Sequence, residues 1–463
     1  MSPTGSQPLN VNLDLVRKYN QPGPRYTSYP TAPQFTEEFD RARLAREIEE
    51  NNRTDRPLSL YFHLPFCETL CWFCGCTTIT TKDQLRTAPY LAHLEKELEI
   101  MAASINPHRR VTQMHFGGGT PNFFSPAEIR RIGAMIAKHF TFAPGAEVGI
   151  EFDPRRLTYE HVLAFRELGG NRASLGIQDF NFAVQEAVNR IQPEEVTAQA
   201  ISWMRDAGFE SINVDLIYGL PLQTVESFAD TIRRSLVLSP DRYAVFSYAH
   251  VPWMKGGQRV IKEADLPDPD TKLQMLKGTI ESLTRSGYAY IGMDHFAKEN
   301  DELTRAQQAG TLQRNFQGYS THGGADIYAY GMSAISQTEQ HYRQNHKSLP
   351  GYYGLLDKGE LPTAKAFFLS DDDRIRRDVI MRLMCDHALD FDATGARLGI
   401  DFRDYFSSEI ERLSGAPVDD DLIEMDGNGL RATDAGRLLI RNLAMHFDTY
   451  LKTGQPARYS KTV

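Results

Sequence analysis

Cys67-Glu68-Thr69-Leu70-Cys71-Trp72-Phe73-Cys74-Gly75-Cys76 is the stretch on which the reading of this chain turns. Its first three cysteines are spaced C-x3-C-x2-C, so three thiolates can wrap one small inorganic core from a single loop. Structural zinc would need a fourth ligand, commonly from a second C-x2-C or H-x3-H pair, and the sequence has none. Cys76 is an awkward fourth because it lies only two residues from Cys74. A redox C-x-x-C pair would leave Cys67 without a purpose. A 4Fe–4S cluster normally takes four cysteines, so three leave one iron open to a ligand from outside the protein. The fifth cysteine, Cys385, stands among Met381, Leu383 and Met384 and reads as core.

The loop follows directly on an apolar run, Leu58–Leu64, the first of six candidate strands. The others are Gln113–Phe116, Glu147–Phe152, Arg172–Ile177, Ser211–Ile217 and Arg242–Tyr248. All are apolar and rich in β-branched or aromatic residues, as buried parallel strands are. Amphipathic helices separate them. Pro126–His139 opens with Ser125 as N-cap, Pro126 at the first position and Glu128 closing a capping box. Glu194–Ala207 and Thr271–Ser286 stop at Gly208 and Gly287. Strand-helix units in series require right-handed crossovers and a parallel sheet. No dinucleotide-type G-x-G-x-x-G follows the first strand, so a curved, TIM-like partial barrel of six βα units fits better than an open nucleotide fold.

Three regions are expected: an N-terminal arm and extension (1–52), the barrel with its extension (53–363) and a mostly helical C-terminal module (364–463). The arm shows little periodicity, yet Gly23-Pro24-Arg25-Tyr26-Thr27-Ser28-Tyr29-Pro30 packs an arginine and two tyrosines between prolines, which suggests an ordered segment lying on something. The C-terminal module reads as helices at Asp371–Leu389, Phe402–Leu413 and Asp434–Phe447, with a hairpin at Leu422–Arg431 before the last, a winged-helix-like pattern.

Composition narrows the function classes. The 463 residues carry 51 basic and 60 acidic side chains, a formal charge of −9, which argues against nucleic acid. No apolar run is long enough to cross a bilayer, and Met1–Ser6 lacks the basic and apolar regions of a signal peptide. Few cysteines exclude a disulfide framework, so a cytoplasmic protein with reduced thiols is expected.

Several motifs lie at the ends of the candidate strands. Gly117-Gly118-Gly119-Thr120-Pro121 is no P-loop, because Lys and Ser/Thr do not follow, but its glycines let backbone approach a ligand closely. Glu151 interrupts an apolar strand where a carboxylate could accept both hydroxyls of a ribose. Gln178 and Asp215 end the fourth and fifth strands, and Arg190 follows the fourth. Each such residue alone is more often structural, yet ligand sites of barrels gather at this face.

The cysteine spacing, with an aromatic just before the third cysteine, resembles that of the radical S-adenosylmethionine enzymes. Tyr61–Cys67, Gly117–Pro121, Ile150–Pro154, Leu175–Phe180, Asn213–Pro221, Gly331–Ser336 and the arm Gly23–Pro30 are together similar to the family of oxygen-independent coproporphyrinogen III oxidases (dehydrogenases), from about Val16 to the C-terminus. One departure is the bulky Asp326-Ile327-Tyr328-Ala329-Tyr330 before Gly331. The resemblance implies a 4Fe–4S cluster held by Cys67, Cys71 and Cys74, with the open iron chelated by S-adenosylmethionine, whose cleavage gives a 5′-deoxyadenosyl radical. It implies that Tyr61, Gly118, Gly119, Thr120, Glu151 and Ile335 contact the first S-adenosylmethionine. Gln178, Arg190 and Asp215, with Phe73 and Ala249 nearby, are implied around a second. Cys76 becomes a non-ligating thiol close to the chemistry, and Tyr61 and Cys76 are implied near the reacting groups. Arg25 is the first candidate partner for substrate carboxylates, with Arg314 behind it. The implied reaction converts two propionates of coproporphyrinogen III to vinyl groups, giving protoporphyrinogen IX, with electrons from a donor such as flavodoxin or ferredoxin and a monomeric enzyme. A methyl-transferring or cyclopropane-forming relative and a heme carrier are the alternatives on the same framework.

Overall fold

The computed structural model describes Leu9, residues 11–451 and Tyr459. Met1–Ser6, read above for a targeting signal, lies outside the described residues. Six strands form in the order expected: β1 (Leu58–Leu64), β2 (Arg110–Gly118), β3 (Thr141–Phe152), β4 (Arg172–Gln178), β5 (Ser211–Tyr218) and β6 (Arg242–Ser247). They pair in parallel, each with the next in sequence. Helices Thr87–Ala102, Pro126–His139, Tyr159–Glu167, Glu194–Asp206 and Val225–Val237 make the crossovers between them. The apolar strand residues that suggested a buried sheet are buried: Leu58, Leu60, Phe62 and Leu64 of β1 are fully covered. The Pro126–His139 helix carries the capping box read from Ser125 and Glu128.

The sheet is wider than the six-strand reading. β7 (Tyr288–Gly292) and β8 (His295–Lys298) extend the β6 edge. β9 (Asp326–Tyr330), β10 (Ile335–Gln337), β11 (His341–Asn345) and β12 (Thr363–Phe368) extend the β1 edge. The full order is β12-β11-β10-β9-β1-β2-β3-β4-β5-β6-β8-β7. β9 runs parallel to β1, whereas β10, β11 and β12 are antiparallel to their neighbours. The bulky Asp326–Tyr330 stretch is explained by this position. Every residue of it is buried, and the Tyr330 ring stacks on Phe62 at 5.1 Å.

Four expectations of local structure are corrected. The arm is not aperiodic, because Leu13–Tyr19 and Arg41–Asn51 are helices, the second burying Leu44 and Ile48 one turn apart. The helix from Asp371 ends at Asp386, where His387 turns left-handed (φ 56°), and Ala388–Asp390 is a strand. The expected Phe402–Leu413 helix breaks at Phe406 (φ −109°, ψ 26°), and the Asp434–Phe447 helix breaks at Leu439 (φ −103°, ψ 21°). The hairpin, Ile423–Met425 with Gly429–Ala432, gains Ala388–Asp390 as a third strand.

The arm lies on the C-terminal module. Tyr26 and Tyr29 are buried in its core, Arg441 Nε donates to the Pro24 carbonyl at 2.9 Å, and Tyr342 donates to the Tyr29 carbonyl at 2.9 Å. The module is braced on the sheet by Arg437, which donates to the Tyr290 carbonyl at 2.9 Å, and on the separate hairpin of Gln313–Asn315 with Gly318–Ser320 by Tyr319, which donates to the Met384 carbonyl at 3.1 Å.

Candidate active site

The C-terminal ends of the parallel strands open into a cavity of about 470 Å³. Cys67, Cys71, Cys74 and Cys76 form one wall, and Gly118, Gly119 and Thr120 adjoin them. Glu151, Gln178, Arg190 and Asp215 follow from the next strands, so one cavity joins residues spread from Cys67 to Tyr319 in the sequence. Phe73 lines it as well. The loop is fixed at its base by short parallel pairing of Phe66–Cys67 with Ile79–Thr80. Gly119 N donates to the Leu64 carbonyl and Thr120 N to the Phe66 carbonyl, both at 2.9 Å, zipping the glycine turn to the chain entering Cys67.

Each thiol has a polar neighbour. Cys67 Sγ lies 3.3 Å from Thr120 Oγ1. Cys71 is buried, and Arg155 Nη2 and Arg190 Nη1 both donate to its sulfur at 3.5 Å. The thiol of Cys76 donates to Cys74, and this contact, with the Cys76 N–H, Lys255 and Arg190, outweighs burial and holds Cys74 below the ordinary thiol range. Among the described residues, no three Cys, His, Asp or Glu side chains converge on a single ion position, as a mononuclear zinc site would require. A cubane takes one thiolate per iron and leaves the sulfurs apart, and soft thiols beside two guanidinium groups suit an anionic cluster.

The other walls suit a polar, charged ligand. Glu151 accepts from Gly118 N at 3.2 Å and lies 3.3 Å from His115 Nε2. Burial pushes its carboxyl up, but the His115 contact and the Gly118 N–H more than offset that, and it rests below the usual range. Asp215 accepts from Asn213 at 2.8 Å and Ser174 at 3.2 Å; burial first and the Glu151 charge second push it up to about 7. Gln178 takes a left-handed backbone (φ 69°), uncommon for a side-chain-bearing residue and typical of functional sites. Its Oε1 and the Nε of Arg190 are buried without a hydrogen-bond partner at the cavity wall. Such groups are costly unless a ligand completes them. These orphans and the glycine turn fit S-adenosylmethionine.

Tyr61 sits just behind the wall. Its ring stacks on His115 at 6.1 Å, and its hydroxyl lies 3.2 Å from His63 Nδ1. His63 Nε2 faces the Thr77 carbonyl at 2.9 Å, where only an N–H can bond, so Nδ1 accepts from Tyr61. Burial lowers the His63 pKa and keeps the ring neutral. Ala249, exposed after β6, and Ile335, half-buried on β10 beside Phe35 and Tyr342, lie outside the cavity walls.

The remote end of the cavity is lined by Phe246, His295 and Tyr319. Arg25 ion-pairs with Asp294 and lies 5.8 Å over the Phe246 ring, and Arg314 lies 4.7 Å over Tyr319. Burial, then Arg441 and Arg314, lower Arg25 to about 9, and His295 falls to about 3 through burial and the Arg314 and Arg25 charges. Three arginines gathered at this end, of which Arg25 is met by Asp294, make a cationic setting suited to an anion.

The radical SAM superfamily model matches residues 61–234, and the HemN C-terminal domain model matches residues 369–439. An oxygen-independent coproporphyrinogen III oxidase of Pseudomonas aeruginosa is 45% identical over 460 residues, covering 98% of this chain and 99% of the relative. That of Synechocystis is 45% identical over 448 residues, covering 96% of each. The chain belongs to the oxygen-independent coproporphyrinogen III oxidase family. The solved coproporphyrinogen III oxidase of Escherichia coli, described as a radical SAM enzyme, superposes with a TM-score of 0.91 at 45% identity, covering 96% of this chain and 100% of that one. As a member of this oxidase family the chain is a radical SAM oxidoreductase, and its cofactors are a 4Fe–4S cluster and S-adenosylmethionine.

Some members of this oxidase's site were not read from the sequence. His63 and His115 flank Tyr61 and Glu151, and Asp153 and Arg155 stand at Cys71. The signal was present, since His63 lies inside the quoted Tyr61–Cys67 stretch and Asp153 inside Ile150–Pro154.

Proposed function

We propose that this chain converts two propionate side chains of coproporphyrinogen III to vinyl groups without oxygen, yielding protoporphyrinogen IX and carbon dioxide. The observation that carries the reading is one cavity joining the cysteine loop to the arginine-flanked end beyond β6. In this reading Cys67, Cys71 and Cys74 ligate the cluster, and Cys76 stays a nearby thiol. Gly118, Gly119, Thr120 and Glu151 hold the first S-adenosylmethionine, with Tyr61 behind them and Ile335 flanking from outside the walls. Gln178, Arg190, Asp215 and Phe73 hold a second, with Ala249 at its margin. When bound, these cofactors would supply a 5′-deoxyadenosyl radical to take up a hydrogen atom from the propionate β-carbon, with CO2 then lost and the remaining electron passed to a one-electron acceptor.

The chain's own residues bind, orient and exclude. Arg155 and Arg190 offset negative charge at Cys71. Glu151, below the usual carboxylate range, is an ionised acceptor for ribose hydroxyls. Arg25 and Arg314 pair with substrate carboxylates, and the bracing of the arm by Arg441 and Tyr342 fixes Arg25 at the cavity. No described helix is long and apolar enough to cross a membrane. A cytoplasmic monomer reduced by a flavodoxin- or ferredoxin-type donor completes the proposal. Methyl transfer, cyclopropanation and heme carriage are not favoured, because relatives matching 96–98% of the chain carry the oxidase name. The test is anaerobic reconstitution followed by reductant, S-adenosylmethionine and coproporphyrinogen III, with porphyrins and 5′-deoxyadenosine separated by chromatography. Vinyl products are expected; cofactor cleavage with an intact cluster but no vinyl product overturns the reading.

A further inference from the structure

Residues 249–262, AHVPWMKGGQRVIK, hold Lys255, Arg259 and Lys262 and no acidic residue, in a chain of formal charge −9. This segment follows β6 and lies against the outer side of the cysteine loop. Lys255 Nζ donates to the Cys76 carbonyl at 3.3 Å, and Gln258 Nε2 donates to the Phe73 carbonyl at 3.1 Å. Gly257 packs so tightly on Leu70 that an added Cβ would meet its Cδ2 at 3.0 Å. The Val188–Ile191 turn flanks the same loop, with Trp72 N donating to the Val188 carbonyl at 3.0 Å and Asn189 to the Leu70 carbonyl at 2.8 Å.

This face presents large apolar side chains to solvent. Trp253 is 72% exposed, Met254 66%, Val260 53% and Ile191 51%. None of them lines the active cavity. Among the described residues, Lys255, Arg259 and Lys262 form no ion pair with a carboxylate; the acids that follow are Glu263, 3.9 Å from His250, and Asp265. Exposed apolar groups ringed by unneutralised cations are the composition of a transient protein interface. The face touches the loop assigned to the cluster through two direct hydrogen bonds and one packing contact.

We propose that this face docks the acidic one-electron carrier protein that reduces the cluster. The inference rests on the assignment of Cys67, Cys71 and Cys74 as ligands made above. One electron passes from the carrier's reduced centre to the oxidised cluster, the carrier is oxidised by one electron, and no bond or proton changes at the interface. Positive charge on Lys255, Arg259 and Lys262 steers the carrier despite the protein's overall negative field. Trp253 and Met254 give the contact its short-range grip.

The probe is an acidic flavodoxin, tested on the reconstituted full-length protein. Its affinity is measured by calorimetry at about 50 mM salt, where surface charges are weakly screened. The variants are Arg259→Glu with Lys262→Glu, and Trp253→Ser; none of these residues belongs to the proposed cofactor or substrate machinery. Binding should weaken roughly tenfold or more in the charge-reversed variant, with the gap closing near roughly 500 mM salt. Cluster reduction by reduced flavodoxin, read from cluster absorbance, should slow in parallel. Vinyl formation driven by dithionite, and its KM for coproporphyrinogen III, should stay unchanged. The proposal is overturned if flavodoxin fails to bind wild-type protein, if the variants bind it equally well, or if dithionite-driven KM rises with the substitutions, which would make the face a substrate site. Loss of vinyl formation by wild-type protein under dithionite overturns the functional reading instead and leaves the binding result standing.

Discussion

Gly119 and Gly75 lie on the two loops that meet at the cysteines, and the structure assigns opposite consequences to the same substitution. A Cβ on Gly119 would lie 2.5 Å from the carbonyl oxygen of Pro65 and 2.9 Å from that of Leu64. These are backbone atoms of the segment entering Cys67, with no rotamer to relax. Gly119→Ala must open the gap by about 1 Å, at the expense of the Gly119-to-Leu64 and Thr120-to-Phe66 hydrogen bonds. Overpacking of this kind costs about 1–3 kcal/mol, and each of the two weakened hydrogen bonds adds about 1 kcal/mol, for a total of about 3–5 kcal/mol. Displacement of Thr120 also carries away the Oγ1 atom 3.3 Å from Cys67 Sγ. Gly75, between Cys74 and Cys76, has nothing within 4 Å of a built Cβ and no positive φ, so Gly75→Ala should change stability by less than about 0.5 kcal/mol. The assays are urea unfolding of the apoprotein and equilibrium dialysis of S-adenosylmethionine with the reconstituted protein. Gly119→Ala should lose stability by the stated amount and bind S-adenosylmethionine more weakly. Wild-type stability and binding in Gly119→Ala, or equal damage from Gly75→Ala, would refute the reasoning.

Other substitutions probe the remaining walls. Glu151→Gln keeps the volume but removes the charge facing His115 and the ribose acceptor, so S-adenosylmethionine affinity in equilibrium dialysis should fall by about 1.4 kcal/mol with iron content unchanged. Asp215 is pushed from 3.8 to about 7, so the folded apoprotein keeps a proton that the unfolded chain releases near pH 4. Its stability is therefore undiminished below pH 4 and is lost progressively as pH rises to 7. Asp215→Asn escapes this loss, and its advantage over wild type in urea melts should grow from pH 5 to 7; a constant difference contradicts the assignment. Glu97 is fully buried and accepts from Gly331 N and Asn345 at 2.7 Å and from Tyr352 at 2.6 Å, tying the first crossover helix to the turn before β10. Glu97→Ala strands three buried donors and should destabilise the protein by about 3–5 kcal/mol in the same melts.

The parallel core was legible because each strand sends an apolar row into the buried interior, so burial and strand order wrote themselves into apolar runs such as Leu58–Leu64. The edge strands β9–β12 were not. Asp326–Tyr330 and His341–Asn345 mix tyrosines with charged or amide residues, and their burial depends on distant partners such as Glu97 and Arg109. The arm helix Arg41–Asn51 was missed because only Leu44 and Ile48 carry its apolar stripe. At the site, the cysteine spacing and strand-end polar residues were visible because single loops and strand ends present them together. His63 lies within a stretch singled out for its resemblance, but its role, like those of His115 and Arg155, rests on contacts that need the folded sheet. Ile335 packs beside Phe35 and Tyr342 outside the cavity wall, a placement that sequence spacing did not convey.

The central claim is that a hydrogen atom leaves the propionate β-carbon within the cavity that joins Cys67, Cys71 and Cys74 to Phe246, beside Arg25. Coproporphyrinogen III deuterated at the β-carbons, supplied anaerobically with reductant and S-adenosylmethionine, tests it by mass spectrometry of the 5′-deoxyadenosine formed. The account predicts transfer of deuterium into 5′-deoxyadenosine together with vinyl product. Vinyl formation with unlabelled 5′-deoxyadenosine, or labelled nucleoside without vinyl product, would contradict it.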